Sequence, residues 1–361
     1  MGRRPLETKT YPRRQLPVVL VCRSERTEIA VMLGPRKVPL VPRLCGRSLL
    51  AFVGCWAAAL GCGGNDSTEP STRNLSFLQI TPDQRVARAG DVFSLGLVAR
   101  DANGDTVRSA SAQWTTANPA VATVDPTGKV SALRPGTVAI IARSGGQQAT
   151  ATVVVGAATY NYPTLQVPQF IQAHHHQLGN IYAISRFRSA IGHSSTDGTE
   201  TCRSMRHYFV PWATLEWSTL PIYAPVTGTV SEMRQDGLWG QQIFIIPRDF
   251  TAARIGLYHA APDPFVAPGT WLEAGQRIGT HSSKATYSDI GVFISTPVGE
   301  RWVSLFSVLP DALFTNYMAR GVPSREAAII TKAERDADPV PCIGDQGFAF
   351  KGNIENWVYL R

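Results

Sequence analysis

From Leu75 onward, apolar and polar residues alternate with a period of two, in LSFLQI (75–80), VFSLGLVAR (92–100) and TVAIIAR (137–143). Clusters of turn formers separate these runs: Asp-Ala-Asn-Gly at 101–104, Pro-Thr-Gly at 126–128 and Arg-Pro-Gly at 134–136. Successive side chains of a strand point to opposite faces, so the pattern predicts half-buried strands and tight turns, a small β-sandwich. Beyond Gly179, IYAISRF, PIYAPVTGTV, QQIFIIP and ARIGLYHA fit strands as well, and only SREAAIITKAERDAD (324–338) has the acid-base spacing of a helix. The fold class expected is all-β, a sandwich followed by a compact antiparallel β domain.

Composition agrees. Gly and Pro are plentiful (31 and 25) and charged residues are only 17%, which favours short strands and turns over long helices. The formal charge of +8 suggests a polyanion partner until it is mapped. Of the 35 basic and 27 acidic residues, 11 and 3 lie in residues 1–50, which leaves 24 of each in the rest of the chain. The excess belongs to a leader, and no nucleic acid is implied.

That leader ends in LLAFVGCWAAAL (49–60), preceded by Arg36, Lys37, Arg43 and Arg47. The stretch falls short of the roughly 20 apolar residues of a membrane span and reads as an export signal. Gly61-Cys62-Gly63-Gly64 follows and resembles the lipobox of bacterial lipoproteins, although Ala59 stands where that motif usually has Leu. The resemblance implies acylation of Cys62 and a membrane-anchored lipoprotein of the cell envelope; ordinary signal cleavage near Gly61 is the alternative. A signal starting at Met32 has normal length, so residues 1–31 are not expected to fold. After export, Cys202 and Cys342 remain as an even pair in an oxidising compartment, most simply a disulfide, with a thiolate metal site as the weaker alternative.

Residues 63–74 (GGNDSTEPSTRN) have the composition of a flexible tether. The run Trp114-Thr-Thr-Ala-Asn-Pro-Ala-Val-Ala-Thr-Val-Asp125, with Gly128 and Leu133-Arg-Pro-Gly136, resembles the bacterial group-2 Ig-like family, in which such domains act as spacers or adhesive modules. Residues 156–178 read as a linker, and the tract His174 to His176 as a solvated or partly packed segment, because adjacent side chains diverge too much to chelate together.

Tyr223-Ala-Pro-Val-Thr-Gly-Thr-Val230, Gly256-Leu-Tyr-His259, Pro268-Gly-Thr-Trp-Leu-Glu-Ala-Gly-Gln-Arg-Ile-Gly279 and the strand around Ile290 resemble the lysostaphin-type zinc endopeptidases, which cut peptide cross-links of bacterial cell walls. The resemblance covers roughly residues 185–308. It implies domains at 75–155 (Ig-like) and 179–310 (endopeptidase-like), with 1–62 as leader and 311–361 as a tail packed on the second domain. It also implies zinc, bound by the His and Asp of an early His-x-x-x-Asp motif, here His193 and Asp197, and by the second His of a late His-x-His. His259 would help activate water or stabilise the oxyanion, with Leu257 on its face of the strand and Tyr258 on the other. The late motif reads Asp289-Ile290-Gly291, so the third ligand is missing, where catalytic zinc sites use three protein ligands plus water. Asp289 is the candidate replacement, with His207 and His281 as accessory donors. The expected function is an exported envelope protein acting on or binding peptidoglycan peptides, with a degenerate metal site and the character of a pseudoenzyme. The alternative is a non-catalytic adhesion or peptidoglycan-binding protein.

Overall fold

The computed structural model describes residues 75–361 apart from Thr196, residues 284–285 and residues 345–346. The leader, the tether and Cys62 lie outside the described residues. Nearly all regular structure is β, as the alternation predicts. No helix among the described residues is long and apolar enough to cross a membrane.

The N-terminal part is a sandwich of three small sheets. Strands β1 (Leu75–Thr81) and β4 (Gly96–Asp101) pair with each other. β2 (Gln84–Arg88), β9 (Gln147–Gly156), β8 (Gly136–Ser144) and β5 (Gln113–Thr116) form a four-stranded sheet in that order. β3 (Val92–Ser94), β7 (Lys129–Ala132) and β6 (Ala122–Val124) form the third. The inward positions of β8 and β9, among them Val138, Ile140, Ala151 and Val153, are sealed in the core. Gly128 adopts φ +83°, and a Cβ there would lie 2.8 Å from the Leu95 carbonyl oxygen and 2.9 Å from the Trp114 ring. A glycine is therefore required for the turn that seats Trp114.

The second part is one eleven-stranded sheet. Its main path runs β16 (Trp271–Leu272), β13 (Gly228–Gln235), β14 (Gln241–Pro247), β15 (Ala253–Pro262), β18 (Ser288–Thr296), β11 (His207–Pro211), β10 (Ile181–Ser185) and β20 (Trp357–Tyr359). β12 (Pro221–Tyr223) and β17 (Arg277–His281) pair off this path, and β19 (Gly299–Val303) pairs with β18. Register fixes two faces: Ile255 opposite Val292 and Leu257 opposite Ile290 share one, Gly256 opposite Gly291 and Tyr258 opposite Asp289 the other. The first face carries the main core, each buried Leu or Ile contributing about 1.5–3 kcal/mol. The second is covered by a smaller layer of Phe187, Met205, Phe244, Phe293 and Trp302.

Three expectations change here. The predicted helix is limited to α3 (Lys332–Ala337), started by a Thr331/Glu334 capping box, while Ile330 is buried and its amide bonds the Phe187 carbonyl. Helices α1 (Leu305–Val308) and α2 (Asp311–Met318) form where none was expected. The segment expected as a linker is built into the second core: Val167, Phe170 and Ile171 are buried, and Tyr160 packs edge-on against Phe250 at 5.0 Å. The sandwich docks on the large sheet through the Val86 amide to Thr229 Oγ1 (2.7 Å) and Arg88 to the carbonyls of Thr251 and Ala253. The described residues accordingly belong to one compact unit.

Candidate functional site

His259 does not follow the strand alternation expected of it. Ile243 pairs with Leu257, but Gln241 pairs with Ala260, so β15 holds one residue more than β14 over this stretch. The extra residue makes a β-bulge, and His259 takes φ +57°, a left-handed conformation unfavourable for a side chain of this size. The bulge turns its imidazole away from Leu257 and onto the Tyr258/Asp289 face. Bulges and left-handed non-glycine residues concentrate at functional sites, where they re-aim a side chain.

The imidazole is almost fully buried. Nδ1–H donates to the Tyr287 carbonyl oxygen at 2.6 Å, and Thr286 Oγ1 lies 3.0 Å away. Asp289 Oδ1 is 3.1 Å from Nδ1 but off the N–H direction and has no hydrogen bond of its own, so this pairing is electrostatic. On the outer side, Nε2 is 3.4 Å from Asp236, a partly exposed carboxylate. Burial works against the charged imidazolium, but contact with Asp289, the Tyr287 carbonyl and the Asp236 charge outweigh it and raise the pKa above the ordinary histidine value.

Asp289 is fully buried, and Oδ2 accepts from Arg206 at 3.0 Å. Burial favours its neutral form, yet His259 and Arg206 together hold its pKa below the usual carboxylate range. The Arg206 guanidinium lies 3.7 Å above the Tyr258 ring and 5.6 Å from Trp302. Desolvation weakens that cation, but Tyr258, Asp289 and Tyr208 more than restore it. Behind it, a Cβ on Gly291 would lie 2.5 Å from Trp302 Cζ3.

The expected metal donors do not converge. Among the described residues no three His, Cys, Asp or Glu side chains are grouped to hold a metal ion. His193 is exposed, its backbone amide bonded to the Tyr208 hydroxyl. Asp197 accepts from Thr199 through Oδ1 and from the Trp302 amide through Oδ2 (3.2 Å). Asp289 is neutralised by Arg206, and the position of the missing donor at Gly291 is filled by an indole. These residues do not fit a divalent zinc ion.

The accessory histidines divide. His207 is a core residue away from His259: Nδ1 meets the Ser185 carbonyl at 2.8 Å and Nε2 the Ser304 hydroxyl at 2.9 Å, and burial holds its pKa to about 4. His281 adjoins the site, since it pairs with Ala260 and the amide of the following Ser282 donates to the His259 carbonyl. Burial and the neighbouring His259 bring its pKa to about 4. The histidine tract is packed rather than solvated: His175 and His176 are buried, and His176 Nε2 meets Ser288 Oγ at 2.8 Å. Cys202 and Cys342 form the expected disulfide. Arg206, Trp302 and Asp236 carried no signal in sequence, because nothing in their spacing marks them apart from ordinary strand and turn residues.

Comparison with known proteins bears first on the sandwich. Residues 96–155 match the bacterial Ig-like domain (group 2) family. The match covers the Ig-like module from β4 to β9. No curated protein matches the chain. Among solved structures, domains 4 and 5 of the S-layer protein SbsC align at 18% identity over 23% of this chain and 53% of theirs, TM-score 0.22. A protein from Ruminococcus gnavus ATCC 29149 assigned as a glycyl-glycine endopeptidase, lytM, aligns at 16% identity over 28% of this chain and 43% of its own, TM-score 0.24. Helicobacter pylori Csd3 aligns at 13% identity over 63% and 54%, TM-score 0.27. The chain thus spans about half the length of these structures, and at that level the likenesses do not extend to activity.

Proposed function

We propose that the chain is an envelope-associated recognition protein in which the Ig-like module supports a metal-free, endopeptidase-like domain that binds cell-wall peptides without cutting them. The observation that carries this reading is the Arg206–Asp289 ion pair beneath Trp302, which uses the one replacement carboxylate as the partner of a fixed guanidinium cation. The Ig-like module and the motifs resembling lysostaphin-type endopeptidases support the envelope assignment. So does the export signal read at 49–60, with Cys62 as the proposed lipid anchor.

A second reading has its own support. A strained, buried His259 with a carboxylate on each side has the arrangement of a metal-independent general base. Incubation of the full chain with purified sacculi separates the two. Co-sedimentation without released fragments, and less than stoichiometric zinc after dialysis, support recognition. Fragment release that disappears in His259→Ala supports the second reading, and stoichiometric zinc with zinc-dependent release overturns both.

A further inference from the structure

Six aromatic residues link into a ring beside His259, with Trp217 buried at its inner edge. Tyr359 and Trp357 stand two residues apart on the edge strand β20 and so share a face. Tyr359 meets Tyr182 at 5.5 Å, Tyr182 meets Trp212 at 4.9 Å, and the Trp212 carbonyl accepts from the Trp217 indole N–H at 3.1 Å. Trp217 in turn lies 6.2 Å from Tyr287, which meets Trp357 at 5.8 Å. Four of these rings are 37% exposed or more: Tyr182, Trp212, Tyr287 and Tyr359. Contiguous exposed aromatic rings are the kind of surface that contact sites use.

The patch is continuous with the candidate site. Tyr287 supplies the carbonyl that holds His259 Nδ1, and Trp217 packs edge-on against His281 at 5.9 Å. The rings meet at interplanar angles of 57°, 59° and 88°, so they are tilted or edge-on and not stacked in parallel. The phenol groups of Tyr182, Tyr287 and Tyr359 make no hydrogen bond to another described residue. No Lys or Arg belongs to the ring, and the Glu355 carboxylate accepts from the Trp357 amide and stands beside Tyr359, which disfavours an anionic ligand. A matching ligand has flat apolar ring faces, hydroxyl groups around them and no net charge.

We propose that this surface binds a saccharide, the sugar rings lying on the exposed aromatic faces and their hydroxyls bonding the phenols. Its occupant is an uncharged glycan strand, which would lie alongside whatever His259 contacts. The inference does not depend on the peptide reading, because that reading rests on Arg206, Asp289 and Trp302, and none of these is among the six rings.

The test is titration of the full chain with N-acetylchitotetraose and with cellotetraose, followed by tryptophan fluorescence and calorimetry. Saturable binding of either saccharide is expected, weakened about tenfold or more in Tyr182→Ala/Tyr359→Ala and two- to fivefold in Tyr359→Phe, which keeps the ring and loses the hydroxyl. An unchanged unfolding transition shows that these surface variants are folded; if the double variant is not, Trp212→Ala carries the same expectation. Absence of binding by both saccharides overturns the proposal. So does tighter binding of a single-stranded oligonucleotide, whose bases also stack on aromatic rings, or concentration-dependent dimerisation abolished by the double variant. Saccharide binding by a chain that fails to bind soluble cell-wall peptides sinks the peptide reading and leaves this one standing.

Discussion

On one face of β15 and β18, Ala253, Ile255, Leu257, Ile290, Val292 and Ile294 interlock into an aliphatic layer. On the other face the same two strands present Tyr258, Asp289 and the facing glycines 256 and 291, and the cover includes the half-buried Arg206. The first arrangement is what alternation and burial favour. The second keeps an ion pair where packed apolar residues are often as stable or more so. A protein that retains costly groups on one side of a sheet whose other side is optimised for packing is using that side for something besides stability. The bulge at His259 points the same way, because it spends backbone strain to put an imidazole on the polar face.

Breaking the Cys202–Cys342 disulfide is expected to have the largest effect on this contrast. It spans 140 residues and ties the loop leading to Arg206 onto the C-terminal segment, so Cys202→Ser with Cys342→Ser should cost about 5 kcal/mol in the loop-entropy account. Hydrogen exchange should then rise in residues 186–206, which cover the polar face, before it rises in the aliphatic layer. Equal loosening of both faces would remove the distinction.

Next is Arg206→Ala, expected to lose about 3 kcal/mol in urea unfolding because it leaves the buried Asp289 carboxylate without its hydrogen-bonded cation and with only the His259 contact. The paired change Arg206→Met/Asp289→Leu should recover most of that loss. A double variant as unstable as the single one would mean that the ion pair itself supports the fold.

Leu257→Ala tests the aliphatic face and should cost about 2–4 kcal/mol through the cavity it opens. Co-sedimentation with sacculi should be unchanged while the protein remains folded. Loss of binding at full foldedness would place recognition on the wrong face.

The smallest effect is the pH dependence added by His259. Its folded pKa is raised above the unfolded value of 6.5, so its stabilisation is fully present below about pH 6.5 and lost as pH rises through the folded pKa. His176, His207 and His281 act with the opposite sign. Burial holds them to about 3, 4 and 4, so below about pH 6.5 the unfolded chain takes up protons that the folded one refuses, and stability falls toward pH 4. Urea unfolding from pH 4 to 9 should show the acid loss in wild type and in His259→Gln alike, with only the alkaline slope reduced in the variant.

The legible parts of this protein are those written in local pattern. Period-two alternation and Gly-Pro turns placed most strands, and an even cysteine pair in a chain read as exported announced the disulfide. Gly128 and Gly136 were readable as turn residues for the same reason. The helix over 324–338 misread because Ile329 and Ile330 belong to an extended stretch: Ile330 bonds Phe187 from across the fold, and a tertiary hydrogen bond outweighed helix spacing. For the histidine tract the sequence left solvated and partly packed open, because His175 is buried against Phe209, a neighbour 34 residues away, which composition does not record.

What the sequence determined by itself is the all-β class, the Ig-like module and the absence of a histidine donor at Gly291, since strand alternation and side-chain identity are local properties. What only the tertiary structure decided is the character of the site. Arg206 reaches Asp289 across 83 residues, Trp302 fills the space beside Gly291, and one extra residue in β15 reverses the direction of His259. Each depends on strand register, which is set by the packing of the whole sheet rather than by any segment of it.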